Sequence, residues 1–356
     1  MIYKITERGG KRMPGNKYEN LCKTAAKLDD KIARQINGGR ELFINASYPS
    51  ALPYYDYLTE LHDNGFDNYP VVNIKNPDAI FFMEKIIGCE MRYTEGKNDF
   101  FHTFCVPVIK SAGDIDKINT DLDNNPVWNN YCERIRAHSV SPEAVLPVSL
   151  PAFCPLDNAC AIMGPGEFLT LLADDINGAM HIIGFISGLY MEMVTRIKKS
   201  NVKTKDPNGY PGTYASDLNT MNISPKMLEK IIPFYEKTAN FAGGMTLGIA
   251  VSDISLMKDI VSVPPFYGFS FDSRLKLEDI SKILGKKLFI IDNHIYDDEL
   301  NGVTLKNGIY VNPIVSSHSR NITEVFREFS DSHSIMGTIY RYNKQEAVDV
   351  LNILKK

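Results

Sequence analysis

The chain has 356 residues, of which 44% are hydrophobic and 23% are charged, so it can bury a large core and is neither a disordered nor a fibrous protein. Its 39 Lys and Arg residues against 43 Asp and Glu residues give a net charge of −4, with no long run of either sign. This balance argues against a nucleic-acid partner, which would need a basic surface. The length fits two domains or one α/β barrel.

Cysteine usage and the distribution of apolar residues indicate a cytoplasmic protein. All six cysteines lie before residue 161, and none forms a C-x-x-C pair, which favours free thiols over a zinc ribbon or a disulfide framework. Residues 1–14 are polar and basic, unlike a secretory signal. The most apolar stretch, residues 178–194, contains His181 and Glu192 and is too short to span a bilayer. We therefore expect no membrane contact.

Short apolar runs alternate with helical patterns from about residue 145 onward. Strands are predicted at 145–150, 245–252, 266–272, 287–291 and 335–340, and helices at 176–197, 226–240, 254–261, 276–284, 321–329 and 344–354. Ser224 and Pro225 form an N-cap followed by a proline at the first helical position, and Gly285 ends a helix. Pro233 is expected to break or kink its helix. The first third is less regular, with strands predicted at 41–46, 69–74 and 104–109.

Repeated strand and helix units predict a parallel sheet with helices outside it. About eight such strands in a chain of this length favour a closed (β/α)8 TIM barrel over an open sheet. No Gly-x-Gly-x-x-Gly or P-loop pattern follows any strand, which argues against a nucleotide-binding open sheet.

Three stretches resemble the uroporphyrinogen decarboxylase superfamily, which includes zinc- and corrinoid-linked methyltransferases. Residues 164–197 are similar to the family's Gly-rich turn, which is followed by a short helix, an acidic pair and a long helix. Residues 216–239 are similar to its segment of an Asp followed by Ser-Pro and a helix, and residues 272–293 are similar to its penultimate barrel repeat. A weaker match runs through residues 76–118. The resemblance implies a TIM barrel over residues 41–356 with an N-terminal helical extension over residues 1–40, and an active site at the carboxyl ends of the strands.

Two departures from the family bear on the reaction. Its decarboxylases carry an Arg-Gln-x-Gly-Arg segment that grips substrate carboxylates, and here Arg34 and Arg40 stand in a similar segment with two extra residues between them. Its thiol methyltransferases carry His-x-Cys after a late strand and a further Cys after the last one, and this chain has no cysteine after Cys160. The thiolate zinc site of those relatives is therefore not expected.

A different set of ligands follows three successive predicted strands. Asp253, Asp272 and His294 are separated by 18 and 21 residues, about one barrel repeat each, and such positions converge on one mouth of a TIM barrel. Two carboxylates and an imidazole predict a site for a divalent metal such as zinc. Substrate:corrinoid methyltransferases of the superfamily are similar in carrying Glu, Glu and His at comparable intervals. In the alternative interpretation, each Asp only caps the helix that follows it.

The resemblance and these residues together predict an enzyme that moves a methyl group from a small methyl ether or methylamine to a partner corrinoid protein. The metal would polarise the leaving oxygen or nitrogen, Asp253 would serve in catalysis, and Asp217, at an earlier strand end, would orient the substrate or a ligand. Two alternatives stay open: a metal-free decarboxylase of a tetrapyrrole or another polycarboxylate that uses Arg34 and Arg40, and a non-catalytic ligand-binding barrel. The sequence leaves open the methyl donor, the metal and whether the chain forms a homodimer.

Overall fold

The computed structural model describes most of the chain: residues 15–47, 50–72, 81–93, 103–140, 146–249, 254–271, 275–291, 332–340 and 344–355. Its helices are α1 (Gly15–Ile36), α2 (Tyr54–Asp63), α3 (Phe82–Ile87), α4 (Pro126–Ser139), α5 (Pro155–Met163), α6 (Pro165–Asp174), α7 (Ile176–Lys198), α8 (Pro225–Ala242), α9 (Ile254–Ser262), α10 (Leu277–Leu284) and α11 (Lys344–Leu354). Its strands are β1 (Leu42–Ser47), β2 (Met91–Tyr93), β3 (Thr103–Cys105), β4 (Val148–Ser149), β5 (Thr204–Lys205), β6 (Thr213–Asp217), β7 (Met245–Ile249), β8 (Phe266–Ser270), β9 (Leu288–Ile291) and β10 (Ile335–Tyr340).

A parallel sheet of six strands is the main β structure. Its order is β1-β10-β9-β8-β7-β6, and α8, α9 and α10 separate β6, β7, β8 and β9 along the chain. This confirms the predicted α/β class and the parallel sheet. The short strands β4 and β5 pair in parallel, and β2 and β3 form an antiparallel pair.

The chain divides into two compact units. The first comprises residues 1–70, 252–254 and 268–356, and the second comprises residues 71–251 and 255–267. In the first unit, β1 pairs with β10 in parallel. Leu42 lies opposite Ile335 at one end of the pairing, and Ser47 lies opposite Tyr340 at the other end. The first unit also contains α1, whose buried residues Leu21, Leu28 and Ile32 recur at helical spacing.

The second unit has the long helix α7 in its core. Its buried positions include Ile183, Ile186, Tyr190, Met193 and Ile197, which confirms the predicted helical pattern. Asp175 caps this helix, because its carboxylate accepts the backbone N–H of Gly178 at 3.0 Å. Among the described residues, no helix is both long enough and apolar enough to cross a membrane.

Local signals placed most helix ends correctly. Ser224 caps α8, with its Oγ 3.4 Å from the Met227 N–H, and α10 ends at Leu284 before Gly285. Pro233 was predicted to break or kink α8, and the break is wrong, because the helix runs unbroken from Pro225 to Ala242. Pro233 lies on the exposed face, so the carbonyl that loses its N–H partner can bind water while Ile231 and Tyr235 keep the opposite face packed.

Candidate active site at the carboxyl end of β6

Strand β6 presents two chemically different faces. Thr213, Ala215 and Asp217 are completely buried, whereas Tyr214 and Ser216, which alternate with them, are half-buried. The buried face packs against helices, since the Thr213 hydroxyl meets that of Tyr190 on α7 at 2.5 Å and Tyr235 on α8 donates to Asp217. The other face therefore carries the two more accessible hydroxyl groups.

Asp217 accepts hydrogen bonds with both of its carboxylate oxygens. The Asp157 N–H donates to Oδ1 at 2.7 Å, and the Leu156 N–H donates to Oδ2 at 3.3 Å. The Tyr235 hydroxyl donates a short hydrogen bond to Oδ2. Since both amides belong to the first turn of α5, Asp217 fixes the start of that helix from the end of β6.

Asp157 holds the segment that follows Asp217. Its carboxylate accepts the backbone N–H groups of Leu218 and Asn219, each at 2.9 Å, and also the Asn219 side-chain amide. These amides begin a 3-10 helix over Leu218–Asn222. The two aspartates thus cap each other's helices.

Burial changes the acidity of Asp217. Loss of water on burial raises the pKa of its carboxyl group to about 8, and the nearby charge of Asp157 raises it as well. The hydrogen bonds from Tyr235 and the two amides lower the pKa, but they do not cancel the effect of burial. A group of this pKa is a candidate acid or base near neutral pH. The catalytic role predicted for Asp217 stays a prediction, and the observed contacts are those of a residue that positions α5.

Further polar side chains surround the first turns of α5. Glu84 on α3 is buried, and its Oε1 accepts the Asn158 side-chain amide at 2.7 Å. Burial raises the pKa of the Glu84 carboxyl group. Cys154, the residue before α5, is half-exposed; burial of its sulfur and the charge of Asp217 raise the pKa of the thiol well above its usual value. A thiol of this kind is a weak nucleophile at neutral pH.

The accessible face of β6 lies beside a gap in β7. Ser216 pairs with Gly248 in the parallel register. A Cβ atom at Gly248 would stand 2.6 Å from the Tyr214 hydroxyl and 3.6 Å from the Ser216 Oγ. The missing side chain therefore leaves room for the Tyr214 hydroxyl, and the two hydroxyl groups form a polar surface opposite α7 and α8. Sequence reasoning missed this surface, although strand alternation around Tyr214 and Ser216 was the signal that could have found it.

Another buried carboxylate lies in the loop between β5 and β6. Asp206 accepts the backbone N–H groups of Asn208 at 2.9 Å and Tyr210 at 2.7 Å, and the Thr246 hydroxyl donates to it as well. Burial raises the pKa of this carboxyl group to about 7. The contacts shape the loop that leads into β6, before the strand begins, so Asp206 lies away from the carboxyl end where the site is expected.

The arginines of the alternative decarboxylase prediction belong to the first unit. The Arg34 Nε lies 2.5 Å from Glu41 Oε1, and this ion pair raises the pKa of the guanidinium group. Arg34 also lines an open depression of about 540 Å³ together with Asp30, Ala33, Asn37 and Gly39. Arg40, at the other end of the segment, follows Gly39 on the way into β1. A carboxylate of the protein itself thus occupies one side of the Arg34 guanidinium.

The three predicted metal ligands, Asp253, Asp272 and His294, lie outside the described residues. Their places in the sequence follow the ends of β7, β8 and β9. Within the described part of the chain, no group of three or more His, Cys, Asp or Glu side chains is arranged to hold a metal ion. The metal site therefore stays a prediction.

The fold resembles that of a solved methyltransferase from Methanosarcina mazei. The two chains are 11% identical, and the match covers 92% of this chain and 98% of that one with a TM-score of 0.59. No protein-family model matches the chain, and no curated protein does. At this level of identity the likeness shows the fold, and the predicted membership of the uroporphyrinogen decarboxylase superfamily stays a prediction.

Proposed function

We propose that the chain is a methyltransferase that moves a methyl group from a small methyl ether or methylamine to a partner corrinoid protein. The observation that carries the proposal is the fold, because nearly the whole chain matches nearly the whole of a methyltransferase. The proposal combines this likeness with the two carboxylates and the imidazole that the sequence places after consecutive strands.

The proposed fold is the (β/α)8 barrel expected from the sequence. Two parallel bridges in the second unit support strands beyond the six-stranded sheet: Val72 with Val148, and Phe153 with Ala215 of β6. In the first unit, Asp67 lies beside β1. Its side-chain carboxylate accepts the Ile44 N–H at 2.9 Å, and its backbone N–H donates to the Ile44 carbonyl at 2.7 Å. These contacts are those expected of two further barrel strands.

The proposed metal ligands are Asp253, Asp272 and His294. Two carboxylates and an imidazole suit Zn²⁺ or another divalent ion, and they leave positions for a substrate atom. Such an ion, when bound, supplies a Lewis acid for the departing oxygen or nitrogen.

The chain's own hydroxyl groups are proposed to bind the methyl donor in the second unit. When the methyl group leaves an ether, the electron pair of the broken C–O bond stays on the oxygen, which then takes up one proton to become an alcohol. The hydroxyl groups of Tyr214 and Ser216 can donate hydrogen bonds to a polar group of the bound methyl donor. Asp217 would act as a positioning residue, because it fixes the start of α5 rather than facing the hydroxyl surface.

An anaerobic assay tests the proposal. Purified protein is mixed with cob(I)alamin and a panel of methoxyaromatic compounds and methylamines, and methylcobalamin is followed by absorbance. We expect turnover with at least one donor and about one tightly bound divalent metal per chain, with both lost in Asp253→Ala and His294→Ala. Asp259→Ala, which removes an exposed carboxylate from α9, is the matched control and should keep both.

Two results would overturn the proposal. One is saturable binding of a donor with no methyl transfer to cob(I)alamin, which the non-catalytic barrel predicts. The other is release of CO2 from a polycarboxylate by metal-free protein, which the decarboxylase predicts. Methyl transfer that persists in the metal-free protein would remove the metal from the mechanism and leave the reaction in place.

A further inference from the structure

Three sulfur atoms come together where the β2–β3 pair follows α3. In the antiparallel register Met91 stands opposite Cys105. Cys89 precedes Met91 by two residues, between the end of α3 and the start of β2. The Val106 N–H donates to the Glu90 carbonyl at 2.9 Å, which continues the pairing past the end of β2, and the Cys89 N–H donates to the Glu84 carbonyl of α3 at the same distance.

The side chains of these residues meet. Cys105 Sγ lies 3.8 Å from Met91 Sδ, and the Cys105 thiol also interacts with the side chain of Cys89. Cys89 is buried, while Met91 and Cys105 are half-buried. The three sulfur atoms therefore come from both strands and from the turn after α3.

The distance between the Cys105 and Met91 sulfur atoms fits a three-coordinate metal ion. A metal–thiolate bond is about 2.3 Å long, so three sulfur atoms arranged in a triangle around one ion lie roughly 4 Å apart. The 3.8 Å between Cys105 and Met91 agrees with this value.

The chemistry of the ligands selects the ion. Thiolates combined with a thioether favour Cu(I), whereas Zn²⁺ takes four ligands and Mg²⁺ or Ca²⁺ takes oxygen. In the part of the chain that the structure describes, no third His, Cys, Asp or Glu completes a metal site around Cys89 and Cys105. A soft ion of low coordination number is thus the one that fits.

We propose that Cys89, Met91 and Cys105 form a binding site for a monovalent copper ion. Binding exchanges the thiol protons for the ion, and no electron is transferred. Copper affinity should consequently rise with pH.

A competition titration tests the site. Reduced full-length protein is titrated anaerobically with Cu(I) in the presence of bathocuproine disulfonate, whose coloured copper complex reports the copper that the protein does not hold. We expect one strongly bound Cu(I) per chain. Cys105→Ser and Cys89→Ser should each weaken binding at least about 100-fold, since even groups that only orient a ligand contribute 10–100-fold to metal affinity. Met91→Leu, which keeps the size of the side chain, should weaken it less.

Cys132→Ser is the matched control, because Cys132 is another half-buried cysteine and lies on α4 outside the sulfur group. It should leave affinity and stoichiometry unchanged. Circular dichroism checks that each variant is folded. If a cysteine variant does not fold, the Cu(I) affinity of Met91→Leu compared with that of wild type still tests the site. Equal Cu(I) affinity in Cys105→Ser and Cys132→Ser, or no weakening in Met91→Leu, would overturn the proposal. So would tighter retention of Zn²⁺ than of Cu(I) against matched chelators.

Discussion

Asp157 and Asp217 cap each other's helices across 60 residues of sequence. The Asp157 N–H donates to Asp217 at 2.7 Å, while the Asp157 carboxylate accepts the N–H of Leu218, the residue directly after Asp217, at 2.9 Å. Each carboxylate thus satisfies amides at the start of the other residue's helix. This arrangement ties α5 to the carboxyl end of β6.

Asp217→Ala should lower the free energy of unfolding by about 3 kcal/mol, because it leaves the Tyr235 hydroxyl and two buried amides without their acceptor. Asp217→Asn should cost less, since the amide keeps one oxygen. Urea unfolding at constant pH measures both. Asp259→Ala serves as the control and should stay close to wild type. Equal stability of Asp217→Ala and Asp259→Ala would show that the reciprocal caps contribute little.

Stability should also depend on pH through Asp217. Its pKa is about 8 in the folded state against 3.8 for an ordinary Asp, so the folded chain keeps a proton that the unfolded chain releases. The stabilisation is therefore complete below the unfolded pKa and declines as the pH rises towards the folded pKa. Asp206, with a folded pKa of about 7, contributes in the same direction.

The contribution of Asp217 can be isolated with Asp217→Asn. Between about pH 5 and about pH 8, the unfolding free energy of wild type should fall more steeply than that of the variant. Parallel curves for the two proteins would mean that the folded pKa of Asp217 is close to its unfolded value.

Two glycines should respond in opposite ways to alanine. A Cβ at Gly212 would stand 1.9 Å from the Gly244 carbonyl oxygen, and the residue has a φ of +94°, so Gly212→Ala should cost about 3 kcal/mol or more. Gly188 lies on the exposed face of α7 with nothing within 4 Å of an added Cβ, so Gly188→Ala should add up to about 1 kcal/mol. Thermal unfolding distinguishes the two, and a neutral Gly212→Ala would contradict the close approach.

If the hydroxyl surface on β6 binds the methyl donor, Tyr214→Phe and Ser216→Ala should lower kcat/KM for methyl transfer, by about tenfold each for the loss of one hydrogen bond. Their stability should change little, because both side chains are only half-buried. Ser262→Ala, which removes an exposed hydroxyl from the end of α9, is the control. Unchanged kinetics in both β6 variants would place the donor elsewhere.

Arg40→Ala distinguishes the proposed function from the decarboxylase alternative. Methyl transfer should continue in this variant, since no step of the proposed reaction uses Arg40. Steady-state rates of wild type and variant with the same donor provide the measurement. A large loss of turnover in Arg40→Ala would instead indicate that the segment between Arg34 and Arg40 binds the substrate.

Short-range patterns in the sequence were enough to predict the class of fold. The Ser224–Pro225 cap and the stop at Gly285 depend on neighbouring residues, and both are found where they were expected. The presence of Asp217 at the end of a strand was predicted for the same reason. The strands predicted at 104–109 and 145–150 are strand only at Thr103–Cys105 and Val148–Ser149, and the helix predicted at 321–329 lies outside the described residues. Pro233 was misread because its exposure, which lets the helix continue, depends on what packs against the other face of α8.

The tertiary structure decided the direction and partners of the side chains. The sequence could not show that the Asp217 carboxylate turns towards α5 and Tyr235, because these partners are 60 and 18 residues away along the chain. The hydroxyl surface of Tyr214 and Ser216 and the meeting of Cys89, Met91 and Cys105 likewise require strand pairing, which sets distances between residues that are remote in sequence. Local propensity determines an element, whereas only packing determines which of its faces is buried and which groups that face meets.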